Sequence, residues 1–277
     1  MQATFAERYH DLEEQHWWFV ARREILLALL QRACVGPDAD ILEVGCSGGS
    51  LMLALREAGY VNVRGIDVSE PAVALARSRG VERVEAMDGA ALTFADESFD
   101  VVLASDVLGH IEDEGEALQS WRRVLKPWGR LIVFVPAFNP LRSEHDIPNE
   151  HFRRYTAQRL VAALWQQGFM TERAAYWNIA LLAPVAVARL LRRALPRRMR
   201  TERQLAGAGP VAQRALLGLL RAENRLITAG VNFPAGISVF ALARSLNSKR
   251  ATSGVWAAPN AKGRNGRVGF GARSRAA

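Results

Sequence analysis

Between Asp40 and Val135 short apolar runs of strand character alternate with stretches of helical periodicity, and this alternation restricts the fold more than any other property of the chain. The strand-like runs are Asp40–Val44, Val63–Asp67, Arg83–Ala86, Val101–Ser105 and Arg130–Val135. Helical patterns lie between them at Ser50–Ala58, Pro71–Ser78 and Gly115–Leu125, the last closed by the stop and turn Lys126-Pro127-Trp128-Gly129. Strand, helix and strand in repeated register place neighbouring strands parallel, with helices on both faces. Farther on, Thr156 is the expected N-cap of a helix over Ala157–Gln167, and Phe169–Tyr176 and Ile237–Ala243 read as two more strands. The expected fold is α/β: a doubly wound, mainly parallel sheet of seven strands. Residues 7–34 add one or two N-terminal helices. An Arg- and Leu-rich helical insertion, about 181–229, precedes the last strand and is interrupted by Pro196 and by Gly207–Pro210. Residues 1–247 form one expected domain with its core at 36–138. Residues 248–277 carry no acid and are rich in Gly, Ser, Asn, Ala and Arg, the composition of a disordered basic tail.

At 277 residues and 49% hydrophobic, the chain can bury a full core. Its cysteines, Cys34 and Cys46, have no metal-ligand spacing and form no disulfide framework, so no metal site is expected and a reducing compartment, the cytoplasm, is. The N-terminus is charged throughout and lacks the apolar core of a secretory signal. The longest apolar run, Ile179–Ala188, contains Pro184 and stops at Arg189, short of the ~20 residues that span a bilayer. Formal charge divides sharply: −8 over residues 1–185, +8 over 186–225, +1 over 226–247 and +7 over 248–277. The basic character thus says nothing about what the first 185 residues bind.

Four segments fall at the carboxyl ends of predicted strands, the edge where open α/β sheets bind ligands. Ile41-Leu42-Glu43-Val44-Gly45-Cys46-Ser47-Gly48-Gly49-Ser50 runs from strand through a small-residue turn into a helix, which lets backbone approach a ligand closely. The three-glycine spacing of a pyrophosphate site is missing, and Glu43 at the strand end would repel a pyrophosphate yet suits an ammonium or sulfonium. Asp67, ending the next strand in Gly65-Ile66-Asp67-Val68-Ser69, takes the position that accepts from ribose hydroxyls. Met87-Asp88-Gly89 offers a carboxylate to an exocyclic amine. Ser98–His110 leads a strand into the polar residues Ser105 and Asp106.

In order and spacing, LEVGCSGGS, GIDVSE, AMDGAAL, SFDVVLASDVLGHI and RRVLKPWGRLIVFVP resemble the successive motifs of class I S-adenosylmethionine-dependent methyltransferases, in the broad group that includes quinone-biosynthesis enzymes. The resemblance covers about Ala39 to Pro136. It implies S-adenosyl-L-methionine as cofactor and S-adenosyl-L-homocysteine as product. It also implies a Rossmann-like methyltransferase sheet in which Glu43, Gly45 and Gly49 line the methionine part, Asp67 holds the ribose, Asp88 and Gly89 meet the adenine, and Ser105 and Asp106 close the site, with Cys46 and Val68 also among the cofactor-binding residues. Ser47 stands where the family has its second glycine, and Gly109 where it often has Glu. Glu14–Arg23 and Glu150–Thr156 resemble segments of a bacterial subgroup, type 11-like, with mostly unassigned substrates.

Several residues carry two readings. Trp17, Trp18 and Phe19 serve either as a lid over the cleft or as the packed face of a helix. His110, His145 and His151 are candidate general bases for an oxygen acceptor, or structural histidines. Arg153, Arg154 and Tyr155 fit an anionic acceptor, or a charged helix start. The basic stretch within 186–225 is either a helix lying on an anionic membrane, with a lipid-linked acceptor, or a solvated helix. The tail has too few aromatics for a nucleic-acid platform. The resulting expectation is methyl transfer to a small-molecule or lipid-linked acceptor at oxygen or carbon. The rivals are a non-catalytic cofactor-binding protein docking on membrane or RNA through its basic third, and a nucleotide-cofactor oxidoreductase.

Overall fold

The structure is a computed structural model that describes residues 14–139, 152–185, 187 and 209–246. Its elements are, in chain order, α1 (Trp17–Arg32), β1 (Asp40–Val44), α2 (Ser50–Glu57), β2 (Asn62–Asp67), α3 (Glu70–Ser78), β3 (Val84–Ala86), β4 (Phe99–Ser105), α4 (Glu114–Val124), β5 (Leu125–Pro136), α5 (Ala157–Gln166), β6 (Phe169–Trp177), α6 (Pro210–Thr228) and β7 (Ser238–Ser245). The expected tail, 248–277, and the basic segment 188–208 lie outside the described residues.

Local chemistry explains where the helices begin. Ser69 caps α3 by accepting from Ala72 N with Pro71 in the first turn, Asp113 caps α4 by accepting from Gly115 N and Glu116 N, and Thr156 caps α5 by accepting from Arg159 N. The seven strands order as β3-β2-β1-β4-β5-β7-β6. Pairing is parallel from β3 through β5, and β7 is antiparallel to both β5 and β6. The strands β1 to β6 therefore all end on one edge, and the direction of winding reverses between β1 and β4.

Alternation along the strands feeds two cores. Ile41, Leu103 and Phe134 face a cluster with Ile25 and Leu29 of α1, Leu55 of α2 and Ile227 of α6. Leu42, Val102 and Val133 face Leu118 and Trp121 of α4 and Leu164 of α5 on the opposite side. The doubly wound, mainly parallel sheet of seven strands is the one expected.

Two local expectations differ. The helix expected to reach Leu125 stops at Val124, and Leu125 is already extended and paired with Phe99. The turn at Lys126–Gly129 consequently sits inside β5 as an irregularity of the ladder, with Trp128 at φ 63. Lys126 Nζ lies 2.8 Å from both Asp40 and Asp100 carboxylates, which ties this turn to the starts of β1 and β4. Among the described residues, no helix is long and apolar enough to cross a membrane.

Candidate functional site

The chain leaves β1 at Val44 and enters α2 at Ser50 through a turn held by main-chain bonds. Gly45 N and Cys46 N both donate to Ile66 O, at 2.8 and 2.9 Å, and Gly49 N donates to Cys46 O at 2.9 Å. Gly45 has φ 74, and a Cβ there would stand 2.2 Å from Val107 Cγ2, so the segment after β4 packs directly on the turn. Gly49, at φ 79, is the N-cap of α2 and gives it no side-chain cap. The first N–H groups of α2 and its positive dipole end are thereby left for an anionic group such as a carboxylate. Ser47 adopts φ 49 and fills the position of the absent glycine, with its N–H donated to Asp67 Oδ2 at 2.9 Å. The Cys46 side chain is buried in the core, so Cys46 presents only its backbone to the turn's outer surface.

Asp67 does more than end β2. Its second oxygen, Oδ1, accepts from Ser69 N at 2.9 Å, so one carboxylate clamps the glycine turn to the β2–α3 loop. Each carboxylate oxygen can accept more than one hydrogen bond, which leaves capacity for a pair of ribose hydroxyls. Val68 beside it is 78% exposed, an apolar surface open to a flat ring. Asp88 is exposed, with Oδ1 accepting from Ala90 N at 2.8 Å. The carbonyl of Gly89 accepts from Trp121 Nε1 at 2.7 Å, and a Cβ at Gly89 would meet Val44 Cγ1 at 2.9 Å. Glu43, 5% exposed, lies in β1 with its Cα opposite Gly65 and Leu103.

At the end of β4, Asp106 takes φ 61 and pairs with Arg22 of α1. The Arg22 Nη1 that makes this pair is 3.4 Å from Ser105 Oγ. Its guanidinium lies over the rings of Trp18, Phe19 and Trp177, at 5.4, 5.8 and 5.7 Å from their centroids. Asp106 Oδ1 is buried without a hydrogen-bond partner. Arg22 is absent from the sequence-derived site residues. The signal was present: Arg22 shares the α1 face of Trp18, Ile25 and Leu29, where an arginine in an apolar stripe demands a buried anion. Trp18 meets Trp177 edge to face at 5.2 Å, so the packing reading of this aromatic segment describes Trp18.

The candidate bases separate. His110 is exposed in the loop after β4, and its N–H donates to Val107 O at 2.8 Å. His145 and His151 lie outside the described residues. His16, not singled out in the sequence, caps α1 by accepting from Trp18 N, and burial pushes its pKa down. With Nδ1 accepting, the neutral ring carries its proton on Nε2, a poor arrangement for a base acting through that nitrogen. Tyr155 donates to Glu114 Oε2 at 2.5 Å, and Arg153 lies 3.5 Å from the same oxygen. Burial, then the Glu114 carboxylate, raises the Tyr155 pKa, and its hydroxyl stays protonated. Arg154 Nη1 donates to Ala137 O at 3.0 Å. Arg153 and Tyr155 are thus engaged with Glu114 at the start of α4.

The carboxyl edge collects the carboxylates of Glu43, Asp67, Asp88 and Asp106 beside a glycine turn and an uncapped helix start. These carboxylate acceptors suit a ligand with cationic centres, hydroxyls and an amine, and the helix start suits one carboxylate. The edge suits a pyrophosphate poorly, whose charge Glu43 opposes.

Comparison with known proteins agrees with this chemistry. Residues 42–133 match the family model described as a methyltransferase domain. A probable S-adenosylmethionine-dependent methyltransferase of Mycolicibacterium smegmatis is 33% identical over 166 residues, which are 58% of this chain and 62% of that protein. The match therefore spans less than two thirds of that relative's length. Among solved structures, geranyl diphosphate methyltransferase in complex with S-adenosylmethionine superposes with a TM-score of 0.54 at 16% identity, covering 81% of this chain and 84% of that one. The cyclase SpnF superposes with a TM-score of 0.52 at 23% identity, covering 79% and 80%. These two likenesses are of fold.

Proposed function

We propose that this chain, whose residues 42–133 match the methyltransferase-domain model, is a class I Rossmann-like S-adenosylmethionine-dependent methyltransferase that transfers the methyl group to a small-molecule or lipid-linked acceptor, at oxygen or carbon. The observation that carries the reading is the Asp67 carboxylate, which holds the glycine turn through Ser47 N while keeping capacity for ribose hydroxyls. Bound there, the cofactor supplies an electrophilic methyl group on a sulfonium. In this reading Asp67 and Val68 bind the ribose side, Asp88 and Gly89 the adenine, and Glu43, Gly45, Cys46 and Gly49 the methionine part. Ser105 and Asp106 close the site toward the acceptor. Methyl displacement from a sulfonium needs no protein nucleophile, so the chain's contribution is orientation of the acceptor and exclusion of water. For an oxygen acceptor, the proton released passes to a base, for which His110, His145 and His151 are the candidates.

Fold alone does not decide the reaction, as a cyclase on the same architecture makes plain. Calorimetric titration with S-adenosylmethionine, S-adenosylhomocysteine and NAD separates the readings. Binding of the first two alone supports the proposal; preference for NAD replaces it with the oxidoreductase reading. Cofactor binding with no methyl transferred to any acceptor in lipid and small-molecule extracts favours a non-catalytic binder. Asp67→Ala is expected to weaken cofactor binding by about 1–3 kcal/mol, through loss of hydrogen bonds to a charged acceptor. Unchanged affinity in the folded variant would remove the ribose assignment.

A further inference from the structure

Helix α6 buries one face against α1 and leaves the other uncovered. Leu220, Glu223, Asn224 and Ile227 are buried, whereas Val211, Leu219 and Leu226 are 80%, 43% and 49% exposed. At 3.6 residues per turn, Val211, Ala215, Leu219, Ala222 and Leu226 fall within an arc of about 80°. Arg214, Arg221 and Arg225, all exposed, gather along one margin of that stripe. The single acid of α6, Glu223, is buried on the far side, so the outer face carries only apolar and cationic groups. Arg221 is paired with Glu24 at 2.7 Å, and Arg214 and Arg225 flank it.

We infer that this outer face of α6 lies on an anionic lipid bilayer. An apolar stripe edged by arginines is the pattern of a helix seated at a membrane interface, with aliphatic side chains among the acyl chains and guanidinium groups among the phosphates. Charge selects this occupant over a second copy of the chain. The charged groups of the α6 outer face are Arg214, Arg221 and Arg225, with Glu223 buried, so self-association through this face would set like charges face to face, whereas an anionic surface complements them. Valines and leucines in place of exposed aromatics also argue against single-stranded nucleic acid, which binds by stacking. The inference does not depend on methyl transfer, and its test reads lipid binding directly.

The test is co-sedimentation of the full chain with phosphatidylcholine vesicles, pure or containing about one third phosphatidylglycerol. Sedimentation with the anionic vesicles alone, reduced by salt, is the expected result. Leu219→Asp combined with Leu226→Asp should weaken it about tenfold while thermal unfolding and cofactor titration stay unchanged. Arg214→Glu with Arg225→Glu, which leaves the apolar stripe intact, should also weaken it and serves if the first variant misfolds. Failure of the unaltered chain to sediment with anionic vesicles overturns the inference. So does sedimentation that neither variant affects, which would place lipid binding elsewhere, or a lipid-free dimer that the same variants dissociate.

Discussion

The carboxyl edge of the sheet is built in two ways on either side of the winding reversal. Around β1–β3 the working parts are main chain: glycines pressed against neighbouring side chains, and short carboxylates accepting from backbone N–H groups 2 to 20 residues away. Around β4–β6 they are long polar side chains from distant segments. Arg22 reaches Asp106, Trp177 donates to Asn224, Asn224 donates in turn to Ala21 O, and Glu223 receives the N–H groups of Asn178 and Ile179. A backbone cradle loses no side-chain entropy on binding and suits a ligand whose shape never varies, as a cofactor's does not. A cluster of buried charges costs desolvation, and removing one member strands its partner, so its members must change together. The first region holds its shape through main-chain bonds, the second through side chains brought together by the fold.

The sharpest way to break that contrast is to crowd the backbone side. Gly45→Val puts a β-branched residue at φ 74 with its Cβ aimed at Val107, and should cost about 2–5 kcal/mol from backbone strain and overpacking together. Urea unfolding with an unchanged m-value measures it. A loss below about 1 kcal/mol would mean that the loop after β4 yields, and that the turn is not the rigid cradle described.

On the other side the expected effect is smaller and repairable. Arg22→Met strands the Asp106 carboxylate, whose side chain is 24% exposed, and should destabilise the fold by about 2 kcal/mol, below the range for a fully buried pair. Adding Asp106→Asn removes the stranded charge with a residue that tolerates the left-handed backbone, and should recover most of the loss. If the double variant is no more stable than the single one, the pair is not what holds α1 to β4.

The same contrast explains what the amino-acid sequence revealed. Strands, their direction and the glycine turn were legible because their signals are contiguous: an apolar run, a carboxylate, a cluster of small residues. Asp67 was legible as a ligand residue for that reason, although its bond to Ser47 N was not, since nothing in either segment names the other. The Arg22–Asp106 pair and the Glu223–Asn224 cluster join segments tens to about two hundred residues apart, and only the packed sheet brings them together. The end of α4 was misjudged by one residue because Leu125 suits a helix and a strand equally, and pairing with Phe99 decided it.

The subtlest comparison uses pH and separates a buried charge from a backbone clamp. Glu223 is 4% exposed; burial raises its pKa from 4.5, and the N–H groups of Ile179, Asn178 and Ala180 oppose the shift without cancelling it. A carboxyl group with a raised folded-state pKa binds its proton more tightly folded than unfolded. Its favourable contribution is complete below about pH 4.5 and is lost as pH rises through the folded value. Glu223→Gln keeps an oxygen to accept from Asn178 and Ile179 but does not titrate. The stability of the native chain relative to this variant should therefore decline as pH rises from 4 toward neutrality. A difference that is flat with pH, measured by urea unfolding, would show that the three N–H groups fully solvate the charge. In that case the β4–β6 side would behave like the β1–β3 side, and the contrast between the two regions would narrow to the Arg22–Asp106 pair.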